Sequence, residues 1–334
     1  YAGAGLSYEF RDNLWLGISA LVSVKTVRST RDLDLEAIPL TDSVFFDGNK
    51  ISTYDASYQE YDEIRFTNFS LIWKLGMAYH IDNVRLGLNL SFPAINLFSG
   101  GKSVNRLIKQ NNIMAPDGSD FLPDYTFVGY EHRRDLKIKV KTPFSVAMGA
   151  TFKSPQIPDK SFFLSVEYFS AMGMYDIIKG GGYPYQIPAE IPKLDSASWM
   201  VFKSGARDLI NLAVGYRWHI SDKLLLLAGF KTDFNYLKGL QLDKNRIDNF
   251  SINVYHLTGG ARIKIKRNVI LWGVQYSFGF EPSRRQIVNL SDPVEYNVLE
   301  QAPLQGNRKN NMNVMYNGLS FFLGASFNFG GQPK

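Results

Sequence analysis

The chain contains no cysteine. Disulfide staples, thiolate metal sites and thiol nucleophiles are therefore excluded. Histidine is scarce: His80, His132, His219 and His256 are the only four, and no two have metal-ligand spacing. No run of about 18 apolar residues occurs, so no helix is expected to cross a bilayer. The longest apolar stretches, such as Leu224 to Phe230, have the length of a strand. A block of one charge is also missing. The net charge is +6, and the basic residues are spread along the chain. Nucleic acid would need a concentrated basic patch and is not an expected partner. There is no Gly-x-Ser-x-Gly elbow, no His-x-x-x-His pair and no pair of carboxylates on one strand. The sequence thus offers no catalytic residue, no metal site and no cofactor site, and an enzyme is not expected.

What is present is aromatic and strand-like. The chain holds 24 Phe, 18 Tyr and 5 Trp, with 28 Gly, at a mean hydropathy of only −0.15. Eleven segments alternate with period 2 or are rich in strand formers: 1–10, 14–27, 63–81, 84–98, 136–153, 161–175, 207–220, 224–237, 250–266, 269–281 and 314–329. In 269–281, Ile270, Trp272, Val274, Tyr276 and Phe278 alternate with Leu271, Gly273, Gln275 and Ser277. In 84–92, Val84, Leu86, Leu88 and Leu90 alternate with Arg85, Gly87, Asn89 and Ser91. A large apolar face backed by a small or polar one suits a wall between lipid and a polar interior, and equally a soluble sandwich.

The connections separate these two architectures. Short links (11–13, 82–83, 154–160, 221–223, 267–268) alternate with long ones (28–62, 99–135, 176–206, 238–249, 282–313) along the whole chain. Short turns at one rim and long loops at the other define a bacterial outer-membrane barrel. The expectation is an all-β fold: one transmembrane antiparallel β-barrel spanning 1–334, with short periplasmic turns and long extracellular loops. Eleven strands are odd, and such barrels normally have an even number. A wall of 12–14 strands is therefore expected, with a strand or hatch segment before residue 1 or a strand within 196–206.

Two basic combs are candidates for a lumen lining: Lys137, Lys139 and Lys141, and Arg262, Lys264 and Lys266. Period 2 places each trio on one face, and a lipid-facing row would be costly. The alternative is a polar wall neutralised by acidic loop residues. Pro93 and Pro143 interrupt strand patterns and are candidates for a kink in the wall. Trp15, Tyr79, Tyr168, Trp218, Tyr236 and Trp272 are placed as an interfacial girdle.

Two segments carry a family resemblance. Leu86-Gly87-Leu88-Asn89-Leu90-Ser91-Phe92-Pro93-Ala94-Ile95-Asn96-Leu97 with Gly100-Gly101, and Lys141-Thr142-Pro143-Phe144-Ser145-Val146-Ala147-Met148-Gly149-Ala150, resemble strands of the FadL-like outer-membrane transport proteins. The resemblance implies a 14-stranded barrel, an N-terminal hatch, lateral delivery at a kinked strand, and passage of fatty acids or other small hydrophobic or amphipathic molecules. It places the chain in the outer membrane of a Gram-negative bacterium, with membrane lipids and a hydrophobic ligand as partners. The chain is also broadly similar in length and aromatic content to accessory barrels of Bacteroidota-type secretion machineries. That likeness implies instead a non-catalytic subunit bound to other outer-membrane proteins.

Overall fold

The computed structural model describes residues 1–46, 48–113, 125–153, 160–180, 185–187, 199–237, 252–265 and 268–326. The strands are β1 (Ala2–Arg11), β2 (Leu14–Ala37), β3 (Ser43–Phe46), β4 (Asn49–Ser52), β5 (Ala56–Ile81), β6 (Val84–Ser91) and β7 (Ile95–Ile113). They continue with β8 (Tyr125–Arg133), β9 (Lys137–Ile138), β10 (Ser145–Lys153), β11 (Lys160–Phe169), β12 (Met172–Lys179), β13 (Tyr185–Ile187) and β14 (Phe202–Ala206). The last are β15 (Leu209–Ser221), β16 (Leu224–Asp233), β17 (Val254–Ile265), β18 (Asn268–Arg285), β19 (Tyr296–Asn297), β20 (Ala302–Pro303) and β21 (Asn310–Ser326).

One antiparallel sheet of 14 strands contains the wall, whose order is β1-β2-β5-β6-β10-β11-β15-β16-β17-β18-β21. Register shows why these residues make a membrane wall. Reading across the strands at one height, Leu6 pairs with Ile18, Ile18 with Leu75, Leu75 with Leu90, Leu90 with Val146, and Val146 with Tyr168. Farther round, Phe230 pairs with Leu257, Leu257 with Tyr276, and Tyr276 with Leu319. A residue and its antiparallel partner share a face, so one apolar face runs round all the wall strands. Most of these side chains are exposed, as a lipid-facing surface requires. Strands such as β10 and β11, with 9 and 10 residues, have the length that about 9–11 tilted residues need to cross the hydrocarbon. Asp12-Asn13, Asp82-Asn83 and Asp222-Lys223 form tight turns at one rim, where Asp82 takes a left-handed φ of +45°.

At the opposite rim the structure differs from a set of irregular loops. β2 and β5 stay paired up to Ala37 and Ala56, and β7, β8 and β13 extend that sheet. A three-stranded sheet, β14-β12-β9, packs against it. The stretch 196–206 adds no wall strand: its described part contains Trp199 and Met200 and then β14, which belongs to this small sheet. Tyr58, Ile64, Phe66, Val104, Ile108 and Phe127 of the long strands pack with Leu136, Val140, Ile178, Trp199, Met200 and Phe202 in a buried core. The strand periodicity therefore continues past the membrane band, and its inward residues change from small and polar to large and apolar. We call this the cap.

The wall does not close by hydrogen bonds among the described residues. β1 and β21 each have one neighbour, and ten antiparallel steps make them run in the same direction. Both edges are bare: Leu323 is 84% exposed, and every residue of β1 is exposed.

Candidate functional site

Three features could handle a ligand: the space inside the wall, a break in the wall, and the cap.

Small residues create the space. On the inward face Gly17 pairs with Gly76, Gly87 with Gly149, Gly149 with Ser165, and Gly215 with Gly229. A Cβ built on Gly76 or Gly87 would meet nothing within 4 Å. Two open hollows lie along this belt. One of about 430 Å³ is lined by Ser7, Trp15, Gly76, Gly87, Asn89 and Gly149, and one of about 470 Å³ by Arg85, Gly87, Gly149, Thr151, Phe163 and Gly215. Trp15 thus departs from the expected girdle. It pairs with Glu9 and Ala78 on the inward face, whereas Tyr79, Tyr168, Trp218 and Trp272 point outward and are exposed.

Charge on the inward face is mostly positive. Lys25, Lys74, Arg85, Lys153, Arg217, Lys231, Arg262 and Lys264 occupy inward register positions, against Glu9, Glu167, Asp233 and Glu281. Arg217 donates to Ser161 Oγ at 3.0 Å and lies over the Phe163 ring. His256 Nδ1 and Ser277 Oγ share a 2.7 Å hydrogen bond, with Gln275 beside them. The two basic combs end up apart. Arg262 and Lys264 face inward near the turn rim, and Lys266 lies outside the described residues. Lys137, Lys139 and Lys141 stand exposed on the small sheet and its extension, while Leu136, Ile138 and Val140 between them point into the cap core.

Pro93 and Pro143 flank the break. The β6–β10 ladder ends at the pair Ser91–Ser145, and β7 regains a neighbour on that side only where Val104 pairs with Arg133 of β8. Between these points no backbone ladder joins 92–103 to 139–144 among the described residues. Side chains bridge the interval. Ala94 N donates to Thr142 Oγ1 at 2.7 Å, and Asn96 Nδ2 donates to Val140 O at 2.7 Å. Val140 N donates back to Asn96 Oδ1 at 3.2 Å. The Asn96 carboxamide so imitates one rung of a ladder. It is held from behind by Asn68, which is buried and donates to Asn96 Oδ1 and Ser99 Oγ. Phe92 and Phe144 approach to 5.9 Å across the gap. Pro fits here because its missing N–H forfeits no rung. Gly101, at φ +55°, supplies the left-handed turn that realigns β7 with β5 after a bulge.

Each of the two Asn96 bonds is worth about 0.5–1.5 kcal/mol net. Asn96→Ala is therefore expected to speed hydrogen exchange at Val140 N–H by about tenfold or more, leaving the β5–β6 ladder protected. Amide exchange with peptide resolution checks this.

The cap is held by a buried charge cluster. Arg106 is 1% exposed; its Nε lies 3.1 Å from Asp62 Oδ1, and its Nη1 donates to Trp199 O at 2.5 Å. Its guanidinium stacks over Trp199 and Phe202. Next to it, Arg31 meets Glu60 at 3.4 Å, and Tyr58 donates to the same carboxylate at 3.1 Å. Burial holds the Asp62 carboxyl above its usual range despite Arg106, and burial raises Tyr58 as well. Glu300 binds both Arg285 and Arg308, and burial lowers Arg308, with the nearby Arg31 adding to the effect. Sequence reasoning missed this cluster, because Arg31 lies 29 positions from Glu60, Asp62 lies 44 from Arg106, and Trp199 lies 93 from Arg106. Among the described residues no group of His, Asp or Glu could hold a metal.

The apolar outer face, the polar inner one and the glycine belt define a transmembrane β-barrel. Comparison with known structures agrees. The chain has the fold of the FadL-like barrels: it matches a Pseudomonas aeruginosa FadL homologue with a TM-score of 0.55 at 14% identity, over 98% of this chain and 67% of that one. The Pseudomonas putida toluene transporter TodX aligns with a TM-score of 0.40 at 12% identity, over 97% of this chain and 82% of that one. No family model matches the sequence, and no curated protein matches it.

Proposed function

We propose that this barrel sits in the outer membrane of a Gram-negative bacterium and passes small hydrophobic or amphipathic molecules, fatty acids among the candidates. The observation that carries this reading is the open glycine belt on the inner side of a lipid-facing wall, in strands whose ladder is interrupted farther along, at Pro93 and Pro143. A molecule leaving through that gap would meet Phe92, Phe144, Ile95 and Phe98 and would enter lipid without crossing water. The excess of inward lysine and arginine favours amphiphiles with an anionic head. Such passage needs no catalytic group.

Locking the gap tests the reading. In a cysteine-free chain, Ala94→Cys with Thr142→Cys gives a single engineered pair. Oxidation is expected to abolish uptake of a fluorescent fatty acid into cells or proteoliposomes, and reduction to restore it. Undiminished uptake in the oxidised protein would remove the lateral route.

A further inference from the structure

Beside that break stands a second surface, the lysine face of the cap's small sheet. Lys137 and Lys179 are direct partners on the β9–β12 ladder. Like charges placed opposite each other destabilise a ladder, and Lys139 and Lys141 extend the row at period 2. Among the described residues, Asp176 is the carboxylate that approaches the row, at 3.9 Å from the Lys179 ammonium. Lys141 lies over the Tyr175 ring at 4.7 Å, which keeps it on this surface rather than in the core.

Its surroundings are apolar on one side only. Asn96 bonds Val140 across the wall break. Ile95 and Leu97, which flank Asn96, are 55% and 52% exposed, and Lys139 and Lys141 flank Val140. Phe98 is exposed too and stacks on Phe69 of the outer face. A row of ammonium groups therefore stands beside an apolar strip, at the level where the lipid-facing belt of β10 ends.

We propose that this surface docks an outer-leaflet lipid whose headgroup carries phosphates. Lys137, Lys139, Lys141 and Lys179 bind the phosphates, while Ile95, Leu97 and Phe98 lie along the acyl chains. The bound phosphates relieve the repulsion between Lys137 and Lys179. The inference rests on the outer-membrane orientation proposed above, with the cap outside.

The test uses the intact barrel, reconstituted in vesicles containing bis-phosphorylated lipid A or the dephosphorylated lipid, with native mass spectrometry of the retained lipid. Retention of the phosphorylated form is expected to exceed that of the dephosphorylated form by about tenfold or more, since several charge-assisted contacts are at stake. The Lys137→Gln, Lys139→Gln, Lys141→Gln, Lys179→Gln variant should lose the preference, and the four Lys→Arg changes should keep it. Equal retention of both lipids, or an undiminished preference in the glutamine variant, overturns the proposal. So does displacement by millimolar inorganic phosphate alone, which would mark a site for the free anion. Insertion into both vesicle types is scored separately by flotation. A barrel that inserts without discriminating sinks only the lipid dock, whereas one that fails to insert sinks the membrane reading beneath it.

Discussion

Filling the glycine belt is expected to stop passage without unfolding the wall. Gly76 of β5 and Gly87 of β6 lie diagonally on the inward face, Gly76 paired with Asn89 and Gly87 with Ala78, and a Cβ at either meets nothing within 4 Å. A phenylalanine at each should thus be accepted by the backbone, its ring occupying the 430 Å³ space that Gly76, Gly87 and Gly149 line. Selectivity and flux through a pore depend on its free diameter, so Gly76→Phe with Gly87→Phe should lower uptake of a hydrophobic tracer by about tenfold or more. The folded barrel, read by its altered gel mobility before boiling, should be retained. Gly260 provides the contrast. Its Cβ would lie 2.7 Å from Trp272 O, so Gly260→Phe should damage the wall itself. Normal flux through a folded Gly76→Phe, Gly87→Phe barrel would mean that ligand does not use this space.

The second large effect belongs to the cap. Arg106→Met leaves Asp62, 6% exposed, without the guanidinium that pairs with it. Breaking a buried pair from one side costs about 3–5 kcal/mol, and the stacking on Trp199 and Phe202 goes with it. The cap should become a protease target while the membrane wall stays folded. Adding Asp62→Leu should recover most of the loss, because replacing both ions by apolar groups is often neutral or better. pH offers an independent check. Burial raises the Asp62 carboxyl in the folded cap, so folding favours the protonated form. That contribution is fully present below the ordinary aspartate value of about 3.9 and is lost as pH rises through the raised folded value. Removing Arg106, which lowers this carboxyl, widens the window upward. Cap protection in Arg106→Met should therefore recover on acidification at a higher pH than any such change in the unaltered protein. Proteolysis of both proteins across a pH series measures this, and equal sensitivity at every pH would contradict it.

Much of the wall could be read from the chain because one physical rule governs it. Lipid outside and polar space inside impose period 2 on strands such as β6 and β18, and short turns rich in Asp and Asn mark one rim. The cap obeys a different rule. There the inward positions of β5 include Glu60 and Asp62, which read as solvent-facing until their partners Arg31 and Arg106 are known. Those partners arrive from β2 and β7, and the covering Trp199 from farther still, so no local window contains the cluster. The Lys137–Lys141 comb shows the same limit. Its period is plain in the sequence, but the direction in which it points is set by what Leu136, Ile138 and Val140 pack against. Pro93 and Pro143 are plain in the sequence as interruptions of strand patterns, whereas the Asn96 bridge between their segments depends on a residue 44 positions away.

The central claim is that this barrel passes a small amphipathic molecule on its own. Native mass spectrometry of the protein extracted gently from its membrane tests that most directly. The expected result is an isolated barrel carrying a fatty acid or similar amphiphile, lost in the Gly76→Phe, Gly87→Phe variant. Stable co-purification with other envelope proteins, with no small ligand in either form, would contradict it and favour a subunit of a larger assembly.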